Sequence, residues 1–196
     1  MRKGTSESVL APGSPVAQLS PTWRMMLLSD GSVTRHLELI TGGETTVECT
    51  QMRELGQEEM EAAAVPAAAQ RIPSPLLQRQ VLLRSSPGPP LVYAASWWCA
   101  ATVRRYLRDS DMPIWKSLGA GRVEVYREIL DVYQGHNPRL EALLQHPGPF
   151  WGRSYFFLHG GRPLTLIHEV FSPRLEEHLG PQRPAARTRG ARRGVE

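Results

Sequence analysis

The sequence predicts an α+β fold: a single antiparallel sheet of about six strands with helices packed on one side. Two observations carry this. Six segments show strand character and are bounded by Gly, Pro or Ser turns, several in hairpin-like succession. The helical patterns are gathered between strands rather than alternating with each one, which disfavours a parallel β/α repeat. No internal repeat is present. A length of 196 residues suits one domain with a sizeable core.

Taken in order, residues 1–19 are rich in Ser, Pro and Gly and read as a disordered arm. Ser20 and Pro21 form a helix-entry signal, and a short helix is expected over about 21–29. "GSVTRHLELITG" alternates, with Val33, Arg35, Leu37 and Leu39 on one face, so a strand is expected; "GG" at 42–43 turns it into a second strand, "ETTVECTQMREL". "GQEEMEAAAVPAAAQRIPSP" predicts a short helix and a connection, broken by Pro66 and Pro73. "PLLQRQVLLRSS" and "LVYAASWWCA" are the third and fourth strands, turned at "PGPP". Helix is expected from Ala100, and a second, longer helical region over "DMPIWKSLGAGRVEVYREILDVYQG". "NPRLEALLQ" adds a helical turn. "FWGRSYFFLHG" and "RPLTLIHEVFSP" close the sheet as a hairpin at Gly160 and Gly161. The domain is expected to span 20–180, followed by a disordered tail.

The net charge of +4 is misleading. Arg183, Arg187, Arg189, Arg192 and Arg193 sit in the tail against Glu196; without them, 18 basic and 18 acidic residues remain. A neutral body argues against a nucleic-acid partner. No window approaches the ~18 apolar residues of a membrane span, and the N-terminal segment lacks a signal-peptide core. Cys49 and Cys99 match no metal or redox spacing and read as reduced thiols, so a cytoplasmic protein is expected. The scattered histidines make no metal motif, and the Gly-rich phosphate-binding and nucleophile-elbow signatures are absent.

Two charges stand in apolar strands. In "LLQRQVLL" the period of two places Arg79 with Leu77, Val81 and Leu83, and in "PLTLIHEVF" it places Glu169 with Thr165, Ile167 and Phe171. A buried carboxylate needs a partner, and a guanidinium offers a planar fork that fits one. Arg79 and Glu169 therefore form either a buried salt bridge or the two ends of a site for a small polar anion. His168, next to Glu169, points to the opposite face, and Trp97 and Trp98 read as core aromatics. Arg153 in "FWGR" is either a second anion ligand or a surface arginine.

The blocks "WRMMLLSDGSVTRHLELITG", "LLQRQVLLR", "YAASWW", "MPIWKSL" and "GPFWGRSYFFLHGGRPLTLIHEVFSP" occur in the order seen in chorismate pyruvate-lyase, the 4-hydroxybenzoate synthase family. The chain resembles its branch from photosynthetic bacteria and plastids over residues 20–180. The resemblance implies a six-stranded antiparallel sheet with flaps over the ligand. It also implies cleavage of chorismate to 4-hydroxybenzoate and pyruvate without cofactor or metal, feeding prenylquinone (plastoquinone) synthesis. The residues it marks as catalytic are Arg79, matching the family's ring-carboxylate arginine, and Glu169, matching its hydroxyl-binding glutamate. Ile114 falls at the main-chain carboxylate contact, and Val33 stands where some members have methionine. On this reading Arg79 and Glu169 face a shared pocket without touching.

Chorismate is a dianion, so a second cation is expected at its enolpyruvyl carboxylate, with Arg153 the first candidate and Lys116 the second. A monomer acting on a small-molecule substrate is expected. The alternative is a non-catalytic module that binds an aromatic acid, because the same fold resembles effector domains of transcription regulators. Those carry a DNA-binding helix-turn-helix domain ahead of the module, for which ~20 residues are too few.

Overall fold

The computed structural model describes residues 14–56, 58, 65–107 and 109–183. Six strands form one antiparallel sheet: β1 (Thr45–Glu54), β2 (Leu76–Ser85), β3 (Pro90–Cys99), β4 (Tyr126–Gly135), β5 (Phe150–His159) and β6 (Arg162–Phe171). Their spatial order is β1-β2-β3-β6-β5-β4. Two meanders, β1-β2-β3 and β4-β5-β6, therefore meet along the β3–β6 seam. Among the described residues there are six α-helices: α1 (Pro21–Leu28), α2 (Val33–Thr41), α3 (Ala100–Tyr106), α4 (Ile114–Ala120), α5 (Pro138–Leu144) and α6 (Glu176–Leu179).

The period of two in the strands divides the core. On one face Val81, Leu83, Val92 and Phe171 pack against Trp23 and Leu27 of α1 and Val33 and Leu37 of α2. Leu118 of α4 continues this layer over Ile129, Tyr155 and Ile167. The reverse face takes Leu144 of α5 against Leu82, Phe150 and Val170. There a 3-10 turn over Ala67–Arg71 also covers Trp97, Phe156 and Leu166.

Two elements differ from the sequence expectation. Residues 33–41, expected as a strand, are helix α2. Ser32 caps it by accepting from the Arg35 N–H, and Gly42 ends it at φ 70°, a left-handed position that glycine takes without strain. The expected first hairpin therefore does not form, and β1 pairs with β2 instead. Conversely, residues 126–135, expected as helix, are strand β4, paired with β5 through a bulge between Ile129 and Asp131. The strand total stayed at six because one element was gained and one lost.

Residues 14–19, assigned to a loose arm, carry a 3-10 turn at Pro15–Gln18, and Val16 and Leu19 are buried in the main core. The expectations for residues 1–13, for most of the segment 57–64 and for residues 184–196 lie outside the described residues. No helix among the described residues is long and apolar enough to cross a membrane.

Candidate functional site

A cavity of about 380 Å³ lies between the sheet and the layer formed by α2, α4 and the loop at residues 29–32. That volume falls in the range of small-molecule sites. Its floor is built from three successive cross-strand rows. Val81, Ala94 and Glu169 stand in one row, Arg79, Ser96, Ile167 and Tyr155 in the next, and Phe157 and Arg127 in the third. Exposed lining residues Trp115, Gly119 and Tyr126 mark the open side.

Glu169 is 5% exposed and lines this cavity. Its partner is not Arg79. Arg153 stands directly across the β5–β6 ladder and donates its Nε–H to Glu169 Oε2 at 2.6 Å. Tyr155 donates its hydroxyl to Oε1 at 2.9 Å. Each carboxylate oxygen thus accepts one bond from β5, which leaves acceptor capacity toward the cavity. Burial, with Glu169 beside it, pushes the Tyr155 hydroxyl well above the usual phenol range, so it stays a donor.

Arg153 is fully buried and does not line the cavity. Its Nη1 donates to the carbonyls of Met26, Leu27 and Ser29 at the C-terminal end of α1. Burial opposes its charge, but Glu169 and Tyr155 outweigh that and hold it above its ordinary range. This corrects both readings of Arg153: it is neither a surface arginine nor a cavity cation, but the group that holds Glu169. Lys116 is exposed beside the Trp115 ring and does not line the cavity either.

Arg79 lines the cavity two strands from Glu169, about 10 Å across the sheet. It is 2% exposed. Its Nε and Nη2 donate to the Ser110 carbonyl at 2.9 and 2.6 Å, and Nη2 also donates to Met112 at 3.1 Å. Those bonds fasten the segment 109–113 over the cavity, helped by Asp111, which accepts from the Cys49 N–H. Burial lowers the guanidinium from its ordinary value, while Cys49 and the nearby Asp111 and Asp109 act in the opposite sense. It forms no ion pair with Glu169, so the buried-bridge reading is set aside. Ile114 is the first residue of α4, whose cap Pro113 supplies no side-chain acceptor. Its N–H therefore has no partner within the helix. Val33, 5% exposed, is the first residue of α2, and both it and Ile114 line the cavity.

His168 points to the opposite face, edge-on to Trp97 with centroids 4.9 Å apart. Burial lowers it to about 4. Two charged lining residues were missed in the sequence: Asp30, exposed in the loop after α1, and Arg127 on β4, 7% exposed. The alternation of Val123, Val125, Arg127 and Ile129 would have marked the latter, had the segment been read as a strand.

A charge-lined cavity of small-molecule size on one face of a six-stranded antiparallel sheet defines the class of α+β domain. The chain belongs to the chorismate pyruvate-lyase Rv2949c-like family, whose model matches residues 27–179. It is 32% identical to the protein ycf21 of Cyanophora paradoxa over 151 residues, 77% of each chain. It is 25% identical to the chorismate pyruvate-lyase of Mycobacterium leprae (strain TN) over 164 residues, 80% of this chain and 76% of the relative. Among solved structures, the effector domain of PhnF from Mycobacterium smegmatis superposes with a TM-score of 0.54 at 14% identity, covering 76% of this chain and 92% of that one. That likeness concerns the fold.

Proposed function

We propose that the protein is a chorismate pyruvate-lyase, converting chorismate to 4-hydroxybenzoate and pyruvate. The observation that carries this reading is the separation of Arg79 and Glu169. They line one cavity from different strands and are each fastened to other groups. That arrangement suits a ligand with a carboxylate at one end of a ring and a hydroxyl at the other.

On this reading Arg79, with the Ile114 N–H, takes the ring carboxylate. Glu169 accepts from the hydroxyl on C4, and Val33 packs against the ring. The C3–O bond breaks, its electrons leaving with the enolpyruvyl oxygen. The proton on C4 departs, and the C–H electrons complete the aromatic ring. The enolpyruvate takes up a proton and becomes pyruvate. Aromatisation drives the step, so the protein's task is to hold the reactive conformer and keep water out. Glu169, fixed by Arg153 and Tyr155, stands beside the carbon that loses the proton. The product would supply quinone biosynthesis.

The test is direct. Purified protein is incubated with chorismate, and both products are followed by chromatography. Formation of 4-hydroxybenzoate and pyruvate in equal amounts is expected. No product above the spontaneous rate from folded protein overturns the reading. A rise in melting temperature without turnover would instead identify a binding module.

A further inference from the structure

Arg127 is the unexplained charge in the cavity wall. Its Nη1 donates to the carbonyls of Ser29 and Gly31, both at 2.8 Å. Its Nε is buried without any partner. No described carboxylate pairs with it. The flat face of the guanidinium rests on Tyr155 and Phe157, 4.4 and 5.1 Å from the ring centroids. The ring stack and the 29–32 loop thus fix the side chain in place, while part of its donor edge remains unused. A guanidinium keeps its charge when buried, so this arrangement is costly unless an anion completes it.

The balance of buried charge points the same way. Among the described residues the buried ionic groups are Arg79, Arg127, Arg153 and Glu169. Three buried guanidiniums face one buried carboxylate, an excess of two positive charges in the buried wall, with Asp30 an exposed carboxylate at its rim. A dianionic ligand would neutralise the buried groups. Arg79 stands on β2 and Arg127 on β4, four strand spacings apart at the backbone, or roughly 19 Å, and both side chains reach the cavity between. Arg79 can meet only one end of such a ligand.

We infer that Arg127 is the receptor for the second carboxylate of a dicarboxylate ligand, which for chorismate is that of the enolpyruvyl side chain. This rests on the lyase reading and assigns the position expected of Arg153. It places the departing group beside β4, next to the open side marked by Tyr126. Each product then keeps one arginine: 4-hydroxybenzoate holds Arg79 and pyruvate leaves from Arg127.

The two products make the test specific. 4-Hydroxybenzoate carries only the ring carboxylate, so its affinity, measured by calorimetry, should change less than about twofold in Arg127→Met. The KM for chorismate should rise roughly 10- to 100-fold, the loss expected of one charged hydrogen bond. Arg127→Lys should restore part of it. If Arg127 serves only to clamp the 29–32 loop, Arg127→Met weakens 4-hydroxybenzoate and chorismate alike, and the inference is overturned. An unchanged KM also overturns it. Should the wild-type protein turn nothing over, chorismate binding read by melting shift carries the same comparison. Failure of the lyase reading and failure of the Arg127 assignment are then separate results.

Discussion

Replacing Arg153 with methionine removes the only charged partner, among the described residues, of a carboxylate that is 5% exposed. The Tyr155 hydroxyl remains at 2.9 Å, but a neutral donor does not offset a buried charge. Breaking a buried pair from one side costs about 3–5 kcal/mol. The Met26 and Leu27 carbonyls at the end of α1 lose this donor as well, while Ser29 keeps Arg127, so the upper half of that range is expected. Against a total stability of roughly 5–15 kcal/mol, this is a large fraction. The assay is urea denaturation of wild type, the single variant and the double variant Arg153→Met/Glu169→Gln. The double variant, which strands no charge, should recover at least about 1.5 kcal/mol. No recovery in the double variant would refute the pairing as the reason Glu169 is tolerated in the core.

Glu169→Gln keeps the shape but exchanges a charged acceptor for a neutral one. Turnover of chorismate should fall roughly 10- to 100-fold while 4-hydroxybenzoate still binds through Arg79, as measured by product release and calorimetry. Gly152→Ala would place a methyl group 2.5 Å from the Tyr133 ring, its cross-strand neighbour, so the melting curve should report a loss of about 1–3 kcal/mol. Burial lowers His168 to about 4 against an ordinary 6.5, so its neutral form is favoured in the fold. The stability this contributes is fully present above pH 6.5 and is lost as pH falls toward 4, up to about 3 kcal/mol. His168→Gln should flatten the stability profile across that window.

The sheet was largely legible because strand parity is a strong signal where one face is buried. "LLQRQVLL" and "PLTLIHEVF" placed Arg79 and Glu169 on the cavity face, and both line it. "GSVTRHLELITG" was not legible from periodicity alone. Val33, Leu37 and Leu39 fit an alternating strand, but Val33 and Leu37 also fit a helical stripe that buries one side. The caps decide between them: Ser32 before the run and Gly42 after it are helix signals that a strand does not need. "RVEVYREILDV" carries the reverse ambiguity. Glu124, Arg127 and Glu128 suggest a solvated helix face, yet β-branched Val123, Val125 and Ile129 alternate, and the bulge after Ile129 interrupts the period. The buried core of the segment 14–19 was masked by its Ser and Pro content, although Val16 and Leu19 are apolar anchors.

One misread element moved a charge assignment. With residues 126–135 expected as helix, Arg127 had no fixed direction, and Arg153, just after a Gly at the entry to a strand, was the first candidate. Parity alone sends Arg153 to the cavity face, because it is paired across the ladder with Glu169. What parity does not convey is depth. Arg153 sits under the end of α1, where three carbonyls take its Nη1 and a carboxylate takes its Nε, whereas Arg127 sits one row beyond Tyr155, past the end of α1 and against the open cavity. Both arginines donate to the carbonyl of Ser29, so the loop leaving α1 separates them. On its inner side an arginine is neutralised by Glu169; on its outer side an arginine still lacks a counter-ion. The same loop that closes the core therefore sets which cation supports the fold and which is left for a ligand.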